Sequence, residues 1–139
     1  MSLLVVGSLH LDVIVRSPHL PILDETVTGS AVDYVFGGKG GNQAVAAARL
    51  GAKVSFVGCV GTDQFGEVLR KELQKNEVDI SQLQAVSGAS GMSVAIVDAQ
   101  GNYGAVIVSA ANLQIQANQI KVPTGTKLVL LQNEVPADV

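Results

Sequence analysis

Buried apolar runs alternate with helical segments in the first half of the chain, and this order restricts the fold more than any other feature. Residues 3–6 form a short continuous apolar run, as expected of a strand covered on both faces. An alanine-rich helix is predicted at 43–50, a second buried strand at 54–60 and a second helix at 65–75. Because strand and helix alternate, we expect parallel strands joined by right-handed crossovers, which is an α/β fold.

Several further segments predict short strands outside this alternation. Residues 12–15 continue or resume the first strand, and the β-branched and aromatic stretches 25–28 and 33–36 predict two more. Residues 92–97 and 103–108 flank a turn-rich segment and predict an antiparallel hairpin. We expect lid strands at about 12–36 and 92–108.

The predicted elements near residue 139 suggest an unfinished sheet. Residues 127–131 predict another strand, and 135–138 have the pattern of a helix start with proline in the first turn. A sheet that stops as its next crossover helix begins leaves an edge uncovered. We therefore expect residues 1–139 to be the truncated N-terminal part of one α/β domain. The alternative is a complete small domain with a disordered tail.

Composition narrows the class of protein. With 47% hydrophobic and 15% charged residues, the 139-residue chain has the profile of a compact domain with one core. Its only cysteine, Cys59, lies in an apolar run and is expected to be a buried inert thiol, which suits a reducing cytoplasm. No signal-peptide pattern, membrane-length apolar run or basic stripe is present. We expect a cytoplasmic protein that binds a small molecule and neither nucleic acid nor membrane.

We expect Asn76 to end the second predicted helix in a left-handed conformation.

Four glycines fall within residues 37–41, between a predicted strand and a predicted helix. Glycine allows a ligand to approach the backbone closely, and the first N–H groups of a helix are unpaired. Lys39 adds a cation, and Asn42 adds a donor and an acceptor. These two residues favour a ligand site over the alternative, a flexible loop capped by Asn42.

Two common nucleotide-binding motifs do not fit the chain. The glycine run is not a P-loop, because Lys39 is not followed by Ser or Thr and the glycine spacing differs. Residues 7–12 contain one glycine where a dinucleotide-binding turn has three. A nicotinamide-dependent oxidoreductase, which should bind NAD, therefore has little support.

The motif G-G-K-G-G-N-Q-A at 37–44, with Gly51 and Gly61 at matching spacing, resembles the N-terminal signature of the ribokinase-like (PfkB) sugar kinases. The likeness extends through 7–12, 25–29, 61–66, 111–112 and Glu134, and so covers essentially the whole chain. It implies a Rossmann-like (ribokinase-like) parallel sheet with flanking helices and a small β lid. It also implies phosphoryl transfer from ATP, with Mg²⁺, to a hydroxyl of ribose or a similar sugar.

The resemblance also implies which residues contact the sugar. Asp12 would accept hydrogen bonds from sugar hydroxyls, and Glu134 would lie close to the sugar at the end of a central strand. Without the resemblance, Glu134 could equally be a solvated loop acid. The other implied contacts come from the glycine run and from the lid hairpin: Gly37, Gly38, Lys39, Asn42, Ser93, Ala95 and Ile107.

His10 departs from the pattern of the family. The ribose-specific member carries an amide side chain there, which helps to hold ribose. Imidazole can donate or accept one hydrogen bond, but it cannot present the donor and acceptor pair of an amide. We expect His10 either to contact the sugar or to be structural, and ribose itself is in doubt as the substrate.

The second signature of the family, a Gly-Ala-Gly-Asp type turn, does not occur in the sequence. In the family that turn supplies the base and the backbone anion hole, and the half of the protein that contains it builds the nucleotide site. We therefore expect no catalytic residue and no metal ligand in this chain, and we expect the 139 residues alone to be inactive.

Three functions remain open at this point. The first is the substrate-binding half of a sugar kinase, completed by a missing C-terminal half and forming a homodimer through the lid. The second is a non-catalytic carbohydrate-binding or regulatory fragment. The third is a nucleoside kinase of the same family.

Overall fold

The structure, a computed structural model, describes residues 1–139 as two α-helices and eight strands, with two short 3-10 helices. The strands and α-helices, in chain order, are β1 (Ser2–Val6), β2 (His10–Arg16), β3 (Ala31–Gly37), α1 (Lys39–Arg49), β4 (Lys53–Gly61), α2 (Gln64–Lys75), β5 (Asp79–Val86), β6 (Met92–Val97), β7 (Tyr103–Val108) and β8 (Leu128–Leu131). The 3-10 helices span Ala110–Gln114 and Ala117–Gln119. No helix is long and apolar enough to cross a membrane.

The first sheet is parallel throughout and has the strand order β5–β4–β1–β8. Its central strand β1 is buried on both faces, as the continuous apolar run predicts. Leu3 and Val5 pack in the main core with residues of both α-helices, whereas Leu4 and Val6 pack in a smaller cluster with Val57. The predicted α/β architecture is therefore confirmed, and Cys59 is fully buried as expected.

Helix α1 begins four residues earlier than predicted. It starts at Lys39 and includes Gly40 and Gly41, although glycine is a poor helix former. These two glycines are buried against the turn between β1 and β2, and this packing compensates for their low helix propensity. The glycine run is therefore not a flexible loop, because Gly37 ends β3, Gly38 precedes the helix, and Gly40 and Gly41 lie in its first turn.

Helix α2 has a side-chain cap at its start and a left-handed residue after its end. The carboxylate of Asp63 accepts a hydrogen bond of 2.8 Å from the backbone N–H of Gly66, which satisfies one unpaired donor of the first turn. The expectation for Asn76 was wrong by one residue. Asn76 has a φ of −93°, and Glu77 has the positive φ, 58°.

The second sheet, which we call the lid sheet, has the order β3–β2–β6–β7. The hairpin of β6 and β7 is antiparallel as predicted, and β6 pairs in parallel with β2. Residues 12–15 therefore do not continue the first sheet. The predicted strand at 25–28 is wrong, because this segment is a loop in which the Glu25 carboxylate binds the His19 ring and the backbone N–H of Ile22.

Two further elements differ from the sequence prediction. Strand β5 was missed because polar residues interrupt its apolar pattern. Each of Gln82 and Gln84 exchanges a pair of hydrogen bonds with the backbone of segment 116–121, as a neighbouring strand would. Residues 135–138 were predicted to start a helix, but they form a single turn. The Val139 N–H closes this turn by donating to the Pro136 carbonyl at 3.1 Å.

Asn112 connects the first 3-10 helix to the crossing between the two sheets. Its side-chain oxygen accepts from the Leu9 N–H at 2.9 Å, and its amide nitrogen donates to the Leu9 carbonyl at 2.8 Å. Both residues are fully buried. The side chain therefore replaces the strand pairing that Leu9 lacks between β1 and β2.

We predict that Asn112→Ala lowers the free energy of unfolding by about 2–4 kcal/mol, because two buried backbone groups lose their only partners. Urea denaturation measures this loss. Asn118→Ala, at an exposed position of the second 3-10 helix, is the matched control and should change stability little. A loss of less than about 0.5 kcal/mol for Asn112→Ala, no more than a surface change costs, would contradict this account of the crossing.

Candidate functional site

The strand order of the first sheet marks where a ligand is expected. Strands β4 and β5 lie on one side of β1, whereas β8 lies on the other, so the order reverses between β1 and β8. In open α/β sheets, ligands bind at the carboxyl ends of the strands at such a reversal. Ser8 follows β1, and Gln132 and Glu134 follow β8, so these side chains lie at that point.

Backbone contact between glycines brings helix α1 to the same point. A Cβ atom on Gly40 would lie 2.6 Å from the carbonyl carbon of Gly7, so only glycine allows this approach. The Gly41 N–H donates to the Ser8 carbonyl at 3.0 Å. Gly38 begins the helix with a φ of 88°, in the left-handed region that favours glycine. Lys39, the first helical residue, is thereby fixed beside the carboxyl end of β1.

Glu134 connects these two segments through its carboxylate. One oxygen is paired with the Lys39 ammonium, and the other accepts from the Ser8 hydroxyl at 2.8 Å. Burial acts to raise the pKa of Glu134, but the hydrogen bonds from Lys39 and Ser8 and the charge of Lys39 outweigh it and lower that pKa. Glu134 is therefore held as a carboxylate rather than being a solvated loop acid.

Asp12 lies on one face of the lid sheet. Its carboxylate accepts from the Ser93 hydroxyl at 2.6 Å, and a Cβ atom on Gly37 would overlap it. Because residues in register share a face, the strand pairing places several predicted site residues on the Asp12 face. These residues are His10, Asp12, Gly37, Ser93, Ala95 and Ile107.

His10 lies between the two groups of charges. It is only 5% exposed, and its Nε2 atom is buried without a hydrogen-bond partner. Burial lowers the pKa of His10, and the nearby charges of Glu134 and Asp12 oppose this effect while that of Lys39 adds to it. The ring is therefore neutral at neutral pH, with a buried nitrogen that has no partner in this chain.

The side chain of Asn42 makes no hydrogen bond to the other predicted site residues, although its backbone N–H donates to the Gly38 carbonyl at 2.9 Å. It is exposed on α1 and lines a groove of about 400 Å³ between β3 and the two α-helices. The groove is also lined by Leu11, Tyr34, Val35, Phe36, Val45, Arg49, Val68 and Glu72. Its contact with a sugar stays a prediction.

The model of the pfkB family of carbohydrate kinases matches residues 1–133. The chain belongs to this family. It is 38% identical over 141 residues to ribokinase of Bacillus subtilis, covering 99% of this chain and 48% of that protein. It is 36% identical to ribokinase of Mus musculus, covering 96% of this chain and 43% of the relative. The chain therefore spans about half the length of these relatives.

Solved structures of family members share the fold. Ribokinase from Thermotoga maritima superposes with a TM-score of 0.90 at 28% identity, covering 99% of this chain and 47% of that one. Ribokinase from Arabidopsis thaliana, in complex with ribose and ATP, superposes with a TM-score of 0.88 at 29% identity, covering 98% and 46%. The ribokinase-like fold expected from the sequence is confirmed.

The family resemblance did not assign Ser8 or Gln132 a role, yet both are buried at the centre of the site. Their positions in the sequence could have identified Ser8 and Gln132 as site residues. Each follows a buried strand, and the carboxyl ends of neighbouring parallel strands meet at one edge of a sheet. That β1 and β8 are neighbours is a fact of tertiary structure, and the sequence pattern does not contain it.

The Mg²⁺ ion that the resemblance implies finds no set of ligands among the residues of this chain. No group of three or more His, Cys, Asp or Glu side chains is arranged to hold a metal ion. The acidic residues of the site are already engaged, Asp12 with Ser93 and Glu134 with Lys39 and Ser8.

We predict that His10 makes the free energy of unfolding pH-dependent. Because folding lowers its pKa below 6.5, the unfolded chain binds a proton that the folded chain does not. This contribution is present above the unfolded pKa, so stability should fall as the pH drops below about 6.5. Urea denaturation between about pH 7 and pH 5 should show the fall in the unaltered chain and a flatter profile in His10→Gln.

His19 provides the matched control, because the chain has two histidines and His19 is exposed and paired with Glu25. His19→Gln should retain the fall in stability. An equal slope in the unaltered chain and in His10→Gln would show that His10 is not the group responsible.

Proposed function

We propose that the full-length protein containing this chain transfers the γ-phosphoryl group of ATP to a hydroxyl of ribose or a similar sugar, and that this chain supplies the sugar-recognition half. The observation that carries the proposal is the convergence of Asp12, His10, Lys39 and Glu134. These residues come from three separate segments and meet where the lid sheet joins the switch point of the first sheet. Family membership and the ribose and ATP complex of the Arabidopsis relative support it.

The proposed sugar contacts follow from the chemistry of each side chain. Asp12 has one carboxylate oxygen bonded to Ser93, and the carboxylate has further lone pairs for sugar hydroxyls. Lys39 is a donor whose charge suits an electronegative sugar oxygen. The backbone of Gly37 and Gly38 forms the floor of the site without side chains. In this proposal Ser93, Ala95 and Ile107 cover the sugar from the lid, and Asn42 contacts it from α1.

His10 is the proposed point of sugar selection. A buried polar atom without a partner costs free energy, and a hydroxyl group of the substrate would provide the missing hydrogen bond. A site that hydrogen-bonds a hydroxyl rejects analogues that lack it. The proposed substrate is thus a sugar, or the sugar of a nucleoside, with a hydroxyl group facing Nε2.

In this proposal, the remainder of the full-length protein carries out catalysis. Phosphoryl transfer depends on positioning and on stabilising charge around the transferred group. Asp12 and Glu134 receive supporting roles, and no base is assigned to this chain. In this proposal the protein is cytoplasmic, uses ATP with Mg²⁺, and requires a C-terminal half of the kind its relatives possess.

We also propose that two copies associate through the other face of the lid sheet. The side chains opposite to the Asp12 face are apolar, and many are solvent-exposed, including Val94 and Val106. A cavity of about 380 Å³ on the lid is lined by Leu20, Pro21, Val94, Ile96, Gly104, Ala105 and Val106. Because exposed apolar patches of this kind mark interaction sites, a second lid sheet is the proposed occupant.

We predict that Asp12→Ala in the full-length protein lowers affinity for D-ribose tenfold or more and abolishes its phosphorylation at low sugar concentrations, because a charged acceptor is worth about 1.5–3 kcal/mol. Calorimetric titration and an ADP-release assay measure the two effects. Glu67→Ala is the matched control, since Glu67 is exposed on α2, away from the site, and its carboxylate is paired only with Lys71. Unchanged affinity in folded Asp12→Ala would refute this site, and sugar binding without turnover in the unaltered protein would favour a non-catalytic module.

We predict that the full-length protein sediments as a dimer and that Val106→Asp converts it to a monomer. A buried charge at the centre of an apolar interface is costly, and the side chain of Val106 is well exposed on the lid. Val122→Asp, at an exposed position outside the lid, should leave the dimer intact. A monomeric unaltered protein would contradict the proposed interface.

A further inference from the structure

Ser8 uses its three polar groups to join two other segments of the site, the first turn of α1 and the segment that follows β8. Its N–H donates to the Gln132 side-chain oxygen at 3.2 Å, and its carbonyl accepts from the Gly41 N–H at 3.0 Å. Its hydroxyl lies 2.8 Å from Glu134 Oε2 and 3.0 Å from Gln132 Oε1. The residue is fully buried, so water does not compete for these bonds.

The single proton of the Ser8 hydroxyl decides how these bonds are divided. Two acceptor oxygens lie within reach, and the hydroxyl can donate to one of them at a time. The Glu134 carboxylate is the stronger acceptor, because hydrogen bonds to charged groups are shorter and stronger. Gln132 Oε1 is then left to accept from the Ser8 N–H. Gln132 therefore fixes the backbone of Ser8, and the hydroxyl of Ser8 binds Glu134.

Gln132 is itself fixed at the carboxyl ends of the central strands. Its backbone N–H donates to the Val6 carbonyl at 3.0 Å, and it is only 7% exposed. The orientation of Glu134 thus depends on a short chain of bonds from β1 through Gln132 and Ser8. Lys39 holds the other carboxylate oxygen but is exposed, so its flexible side chain fixes the carboxylate less firmly.

We propose that Ser8 and Gln132 are positioning residues that hold the Glu134 carboxylate in the orientation in which it meets the sugar. This inference rests on the proposed function, because it takes Glu134 to lie close to the sugar. It assigns Ser8 and Gln132 no contact with the substrate. They act through Glu134 alone. Loss of the Ser8 hydroxyl leaves Glu134 with Lys39 as its only side-chain partner and free to rotate.

A double-mutant cycle on affinity for D-ribose in the full-length protein tests this proposal. Ser8→Ala should lower the affinity about tenfold when Glu134 is present. In the Glu134→Gln background, the same change should cost less than about twofold, because its target has already been removed. An equal penalty in both backgrounds would show that Ser8 is merely structural and would overturn the inference. A second cycle with Gln132→Met replaces the first if Ser8→Ala does not fold.

Ser55→Ala is the matched control. The Ser55 hydroxyl also donates to a carboxylate, that of Asp79, at 3.0 Å, but Ser55 lies near the amino end of β4, whereas the site lies at the carboxyl ends of the strands. Its removal should leave affinity for D-ribose unchanged in both backgrounds. A loss of affinity equal to that of Ser8→Ala would mean that any serine–carboxylate bond of the sheet has this effect.

An NMR titration of the Glu134 carboxyl group separates failure of this inference from failure of the proposed function. The titratable groups that face Glu134 are Lys39 and His10, and neither is altered by Ser8→Ala. Removal of the hydroxyl should raise the pKa of Glu134, whether or not a sugar binds. An unchanged pKa would overturn the positioning role. A raised pKa without any binding of D-ribose by the unaltered protein would count against the proposed function alone.

Discussion

The close contact between the β1–β2 turn and the first turn of α1 determines the rest of the site. Gly7 and Gly40 meet through their backbones, and no side chain fits between them. This contact places Lys39 at the carboxyl end of β1 and allows the Gly41 N–H to reach Ser8. Backbone packing of this kind is rigid because no rotamer can relieve it. The charged residues of the site are arranged around that fixed point.

The two sheets divide the work of the chain. The parallel sheet supplies a rigid edge where buried Ser8 and Gln132 form a hydrogen-bonded group with the partly buried Glu134. The lid sheet supplies Asp12 and Ser93 on one face and apolar side chains on the other. His10 begins β2, where the chain passes from one sheet to the other, so its ring is influenced by charges from both. The site is thus a property of the junction between the sheets and of neither sheet alone.

The sequence predicted the local elements and the family well, and it failed where tertiary contacts override local preference. Continuous apolar runs located β1 and β4 because burial on both faces leaves a direct pattern. Two β-branched apolar segments on either side of a turn located the lid hairpin, although every residue of β7 is exposed. The sequence pattern missed the start of α1, since glycine packing outweighs helix propensity there, and it missed β5, whose polar residues bind a neighbouring backbone segment. The resemblance identified Asp12, Lys39 and Glu134. The bonds that join them depend on the neighbouring positions of β1 and β8, which a single sequence does not encode in any local pattern.

The glycine contact also determines which parts of the site could change in an engineered variant. Positions 7, 38, 40 and 41 admit no side chain, because an added Cβ would lie within 3 Å of other atoms at each of them. The positions that line the lid, by contrast, carry ordinary side chains on regular strands. Under the proposed function, a library aimed at a new sugar would therefore be built at Ser93, Ala95 and Ile107, with the glycine positions kept constant. Under that proposal, ligand preference could vary on β6 and β7, because no residue of these two strands belongs to the buried core.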